Sequence, residues 1–221
     1  MKRNLLLLLC VSLTLGAICN PTSGSKWKSL LGDGFSLAKY EKGSWKVEGD
    51  VLTAYEDKVL WASGEFENFV LELEFKNEVG TNSGVIIYCT DEKNWIPNSV
   101  EIQIADDYCE KWGDARKDFQ CGAVFGHLPA NKQKVVNKPG EWNKMKLTCK
   151  GQLITVELNG KKVTRMDMSR WTSGKVNPDG SEIPGWLPKP FAELPTKGSI
   201  GFQGKHGDSK ISFKNIRIKS L

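Results

Sequence analysis

Histidine is nearly missing from this chain: 221 residues contain two, His127 and His206. Cysteine is sparse as well, and the four that lie beyond the first twenty residues, Cys89, Cys109, Cys121 and Cys149, form no C-x-x-C pair. So few ligands at such spacings argue against a zinc site. No apolar run after the N-terminus approaches the roughly 20 residues that a membrane-crossing helix needs. No stretch keeps a helical period. No sign of charge dominates either, because 31 Lys and Arg are interspersed with 26 Asp and Glu for a net +5, two of it from Lys2 and Arg3. Without a basic stripe, nucleic acid is not an expected partner.

What is present begins with an export signal. Lys2 and Arg3 precede the leucine run at 5–9, and apolar or small residues continue to Cys19, the pattern of a charged segment followed by a hydrophobic one. Two readings of its end stand: peptidase cleavage after Cys19, or a lipobox in which Cys19 is acylated and the chain is lipid-anchored. Residues 1–19 are therefore read as a signal peptide, and the protein is expected in the periplasm, at the cell surface or secreted, with no membrane span. Residues 25–221 have the size of one all-β domain, commonly about 200–250 residues. In that compartment the four remaining cysteines fit either buried thiols or one or two disulfides.

Strand signals recur from Trp45 onward. Phe69, Leu71, Leu73 and Phe75 alternate with Glu72, Glu74 and Lys76, and Met145, Leu147 and Cys149 alternate with lysines and Thr148. Each is a half-buried strand with its apolar residues inward. Ile154, Val156 and Leu158 run into Asn159-Gly160, a strong hairpin signal. Ile211 and Phe213 keep odd phase whereas Ile216 and Ile218 keep even phase, so a bulge is expected at Lys214-Asn215. Trp45, Trp61 and Trp142 are read as core. Many short strands and no helices predict an all-β jelly roll, a sandwich of two antiparallel sheets. Two stretches, 106–139 and the proline-rich 171–195, read as long loops that rim a site.

The most informative segment is Val100-Glu101-Ile102-Gln103-Ile104. Its apolar residues face one way and leave Glu101 and Gln103 on the other face, about 7 Å apart along the strand. A carboxyl and an amide so placed can move a proton and grip a hydroxyl or carbonyl together. Asn82-Ser83-Gly84 leads into an apolar strand, and Gly201-Phe202-Gln203-Gly204-Lys205-His206-Gly207 puts Gln203, Lys205 and His206 at a glycine-rich strand end.

The order of these motifs resembles a known family: N-S-G before an apolar strand, E-x-Q, C-G-A, E-W-N, the L-N-G hairpin, G-x-I-G-x-Q-x-x-H-G and F-x-N-I-R-I-K at the end. It is similar to the 3-keto-disaccharide hydrolase domain, over roughly residues 27–221. The resemblance implies a concanavalin A-like fold and cleavage of glycosides whose sugar carries a ketone at C3, either by hydrolysis or by C2-proton abstraction and elimination at C1. That ketone acidifies the C2 proton, so a base can remove it and expel the C1 substituent without the oxocarbenium-like route of ordinary glycosidases. Carried onto this chain, the resemblance implies Glu101 and His206 as catalytic, with Asn82, Ser83, Gln103, Gln203 and Lys205 binding substrate. The chain departs from the pattern at Tyr88-Cys89, where an Arg is common, and at Phe125-Gly126-His127, where a Tyr is common. Tyr88 and His127 are therefore expected to contact substrate differently, and Trp186, in the second long loop, to stack on a sugar ring. The expected partner is an oligosaccharide or glycoside. No cofactor is indicated, and a divalent metal in the groove is left open. The competing reading is a non-catalytic, lectin-like carbohydrate-binding module.

Overall fold

A computed structural model describes residues 26–207 and 209–221; the signal peptide read over 1–19, with Cys19, lies outside the described residues. In chain order the strands are β1 (Lys28–Ser29), β2 (Ala38–Lys39), β3 (Trp45–Glu48), β4 (Val51–Ala54), β5 (Leu60–Ala62), β6 (Phe66–Glu67) and β7 (Phe69–Asn77). They continue as β8 (Asn82–Cys89), β9 (Val100–Ala105), β10 (Trp142–Lys150), β11 (Leu153–Leu158), β12 (Lys161–Asp167), β13 (Lys197–Phe202) and β14 (Ile211–Ser220). The larger sheet runs β12-β11-β10-β7-β14-β4-β3 with β1 beside β14, and the smaller runs β2-β5-β13-β8-β9 with β6 beside β13. All strand pairs are antiparallel. This is the expected two-sheet sandwich.

Alternation does the sorting. Phe69, Leu71, Leu73 and Phe75 on β7 are buried between the sheets with Met145, Leu147 and Cys149 of β10 and Ile154, Val156 and Leu158 of β11, each worth roughly 1.5–3 kcal/mol on transfer from water. Glu72 and Glu74 point the other way, to Arg217 (2.6 Å) and Lys214 (3.8 Å) on β14. The β11–β12 turn places Asn159 and Gly160 at φ 49° and 76°, the left-handed pair that a two-residue hairpin requires. The pairing of β14 with β7 shifts between Lys214 and Arg217, with Asn215 at φ 52°, so the bulge stands where the phase of the sequence switches.

Of the three tryptophans expected in the core, Trp45 and Trp61 are buried, in separate apolar clusters, and Trp142 lies outside. Trp45 is in the core. Trp142 is on the outer face of the larger sheet, under the Lys76 and Lys214 ammonium groups at 5.1 and 4.2 Å from its ring. Trp61 packs on the outer face of the smaller sheet with Ile86 and Cys89, because Leu60 and Ala62 on either side of it take the inward positions. Cys89, Cys121 and Cys149 are buried free thiols and Cys109 is a half-buried one; burial pushes Cys89 up to about 11 and Cys149 up to about 12.

The two long loops carry no strand, and the first closes a sheet edge. Gly122 N–H donates to Gln103 O (2.9 Å), Gln103 N–H to Ala123 O (2.9 Å) and Phe125 N–H to Glu101 O (3.0 Å). Residues 122–125 thus cover the free edge of β9, which would otherwise expose unpaired backbone groups. The loops also pack on each other, with His127 stacked on Phe191 at 3.7 Å and Arg116 donating to Glu182 O at 2.8 Å.

Candidate functional site on the smaller sheet

The registers of β9, β8, β13 and β5 define rows across the outer face of the smaller sheet. One row reads Glu101, Ile86, Gly201, Trp61, and the next reads Gln103, Gly84, with Gln203 beyond the end of β13 donating its N–H to Gly84 O at 2.9 Å. Residues paired across antiparallel strands share a face, so these side chains belong to one surface. Two glycines shape it. A Cβ on Gly84 would sit 2.3 Å from Glu101 Oε1, 2.7 Å from its Cγ and 2.9 Å from its Cδ. The Glu101 carboxyl therefore lies over Gly84, between the strands that carry Gln103 and Gln203. A Cβ on Gly201 would sit 2.6 Å from the Trp61 ring, so that ring occupies the space over Gly201. Val59 and Trp95 pack against the same Trp61–Ile86–Cys89 cluster and continue the apolar part of the face.

Electrostatics single out Glu101. It is half-buried, its side chain has no hydrogen-bond partner among the described residues, and burial pushes it up to about 8. Desolvation penalises the charged form and no cation among the described residues offsets it, so at neutral pH the group is mainly a protonated acid. Its polar neighbours are amides. Gln103 is 1% exposed and donates from Nε2 to Asn82 Oδ1 at 2.9 Å. Gln203 has a buried Oε1 with no donor among the described residues. Amides offer donors and acceptors without charge, a set that fits hydroxyls and carbonyls of a sugar.

The remaining expected site residues divide. Ser83 is buried on the core side and donates to Gln203 O at 2.8 Å; it holds Gln203 in place and does not face the groove. Tyr88 is a correction: it is 1% exposed, edge-on to Phe69, and its hydroxyl donates to Gly151 O at 2.9 Å. With φ at 57° it breaks the alternation of β8, turning Tyr88 to the core and Cys89 to the outer face. His127 is also buried, at 3% exposed. Its Nδ1 donates to Phe125 O (2.8 Å) and its Nε2 has no partner among the described residues. Burial lowers it to about 4, which keeps it neutral under the second loop. Trp186 is 57% exposed on that loop, whose Leu187 and Pro184 pack against Gly126 beyond the β9 edge.

Lys205 and His206 follow Gln203 at the end of β13. Lys205 N–H donates to Glu56 O at 3.0 Å, and His206 Nδ1 meets Asp57 Oδ2 at 2.7 Å. Asp57 and Asp107 are not among the candidates that the sequence offers, and Trp61 is read there only as core. Asp107 lies just past β9, accepts from Cys121 N–H at 2.9 Å, and is raised to about 6 by burial, which outweighs that bond. The signal for Trp61 was local, its place between two inward residues. The signals for Asp57 and Asp107 were not.

A groove of about 1010 Å³ lies on the other sheet and is lined by Glu72, Glu74, Lys144, Lys146, Glu157 and Arg217 among others. Its charges are largely spent on one another, Arg217 with Glu72 at 2.6 Å and Lys146 with Glu157 at 3.3 Å. The chemistry therefore points to the Glu101 face in preference to that groove.

Comparison with known proteins agrees in fold and family. Residues 26–219 match the family described as the 3-keto-alpha-glucoside-1,2-lyase-like domain. A protein of Bacteroides thetaiotaomicron named 3-keto-disaccharide hydrolase is 30% identical over 178 residues, which are 71% of this chain and 60% of that protein. The match thus spans less than two thirds of the relative's length. A crystal structure from Parabacteroides distasonis, of a protein described only as a candidate glycosyl hydrolase, is 63% identical, has a TM-score of 0.87 and covers 89% of this chain and 100% of that one. A Bacillus subtilis protein with a galectin-like fold shares only the architecture, at 12% identity and a TM-score of 0.57 over 90% of this chain and 96% of its own. On a match that runs through nearly all of the described residues, the chain belongs to the 3-keto-alpha-glucoside-1,2-lyase-like domain family.

Proposed function

We propose that this protein is an exported enzyme that cleaves the glycosidic bond of 3-keto glycosides on the outer face of its smaller sheet. Family membership and the Bacteroides relative support a glycoside-cleaving function; the 3-keto substrate and the order of bond breaking are the reading argued here. The observation that carries it is Glu101, a carboxyl held over Gly84 between two glutamines and raised to about 8 by burial. A group still protonated at neutral pH can give its proton to a leaving oxygen, and a value near the working pH is what general acid–base catalysis favours.

In this scheme His206 takes the C2 proton, the C2–H electron pair forms the C1=C2 bond, and the C1–O bond breaks as Glu101 protonates the departing oxygen. The products are a 2-hydroxy-3-keto glycal and the free aglycone. Water added across the double bond then gives the 3-keto sugar. Gln103, Gln203 and Lys205 donate to the enolate oxygen while charge develops, where such donors count most; Asn82 binds a ring hydroxyl, and the Trp61–Trp95 surface packs on apolar C–H edges. The leader at 1–19 supports export.

The test is incubation of the protein with ordinary and 3-keto disaccharides, following released sugar. Turnover of the keto forms alone is expected. Binding of sugar with turnover of neither would replace the enzyme by a lectin-like module.

A further inference from the structure

The chain just past β13 is held with more care than its exposure explains. The segment between β4 and β5 is pinned from several sides: Tyr55 N–H donates to Ser44 O (2.8 Å), Lys58 N–H to Glu56 O (2.9 Å), and the buried Trp45 indole donates to Lys58 O (2.9 Å). Against it runs the chain leaving β13. Lys205 N–H donates to Glu56 O at 3.0 Å, and a Cβ on Gly204 would fall 2.4 Å from Glu56 O and 2.5 Å from Lys58 O. Only glycine lets the two backbones meet so closely. The turn then closes with His206 N–H on Gly204 O at 2.9 Å. These backbone contacts bring Asp57 and His206, 149 residues apart, to 2.7 Å between Oδ2 and Nδ1.

Both side chains are 54% exposed. A pair so open to solvent adds little to stability, so the pinning of both backbones is not accounted for by the strength of that bond. Its chemical effect is specific. A carboxylate only accepts, so when the imidazole is neutral the proton must sit on Nδ1, leaving the Nε2 lone pair free. That is the tautomer a base needs.

We infer that Asp57 is a positioning residue which, through the Gly204 contact, fixes His206 in the Nδ1–H tautomer with Nε2 available to take a proton from the substrate. The use made of that lone pair rests on the proposed reaction; the tautomer itself does not. Asp57 touches no reacting atom and acts only through His206.

The experiment reads the two levels separately. In protein carrying ¹⁵N-histidine, with the rings neutral, the ¹⁵N–¹H couplings of His206 should report Nδ1–H in the parent and a mainly Nε2–H ring in Asp57→Ala, with Asp57→Glu restoring the parent pattern in part. On a 3-keto disaccharide, Asp57→Ala should lower kcat by roughly 10–10²-fold with KM little changed, less than the ~10⁴-fold that follows loss of a buried triad aspartate, because here solvent also reaches the ring. A parent ring already in the Nε2–H form, or a tautomer indifferent to Asp57→Ala, overturns the inference. So does an unchanged kcat in Asp57→Ala when His206→Ala has lost turnover. If the parent turns over no 3-keto disaccharide, the reaction falls, while the ring-nitrogen couplings still decide whether Asp57 sets the tautomer.

Discussion

Replacing Glu101 by Gln should stabilise the protein in a way that depends on pH. Burial holds the carboxyl at about 8 against an ordinary 4.5, and the unfolded chain releases its proton near the ordinary value. Between those two values the folded state keeps a proton that the unfolded state has lost. Its stability therefore falls as pH rises, by about 1.4 kcal/mol per unit, and levels off above pH 8. The full span would cost about 5 kcal/mol; solvent reaching the half-buried carboxyl reduces this, and we expect ~2–3 kcal/mol at pH 8. Gln keeps the shape and carries no such cost. Urea unfolding at pH 4, 6, 8 and 9 should show parent and Glu101→Gln nearly equal at pH 4, the variant gaining through pH 8, and a constant gap beyond. Asp107 and His127 titrate alike in both proteins and cancel from the difference. A gap independent of pH would refute the buried, proton-holding Glu101. The same variant should lose 10²–10⁴-fold in turnover, roughly the worth of general acid–base catalysis, and parent activity should decline above pH 8 if Glu101 is the acid. A rise through pH 8 would make it the base.

Gly84→Ala drives a methyl into the Glu101 carboxyl and should cut turnover by about 10²-fold, the usual consequence of a displacement near 1 Å, while thermal unfolding shows the fold intact. Tyr88→Phe removes the bond to Gly151 O; it should cost about 1 kcal/mol in urea unfolding and leave KM for sugar unchanged, since the ring is in the core. His127, lowered to about 4 by burial, holds fewer protons folded than unfolded between pH 4 and 6.5. The His127 contribution to stability is thus lost as pH drops through that window, by up to about 1.4 kcal/mol per unit, so urea unfolding should show His127→Phe gaining on the parent from pH 7 to pH 5, with Glu101 and Asp107 cancelling from the difference.

The fold was legible wherever one residue's environment depends on its near neighbours. The β7, β10 and β11 faces, the Asn159-Gly160 hairpin and the Lys214–Asn215 bulge follow from period-two patterning and turn chemistry. Trp142 was legible too, because the odd positions of its strand are inward and it is even. Tyr88 was not, since a single residue at φ 57° reverses every side-chain direction after it and nothing in its composition announces that.

The site was legible only as a set of candidates. Glu101 and Gln103 sharing a face is a property of one strand, but the proton on Glu101 is a property of three, because it depends on Gly84 leaving room for the carboxyl to lie down and on no cation standing beside it. The same holds for the pair of Asp57 and His206, which exists because Gly204 has no side chain to keep two loops apart. In both places a glycine on one strand sets the chemistry of an acid or base on another. A pattern read along the chain sees such a glycine only as a gap; its meaning appears when register places the neighbour above it.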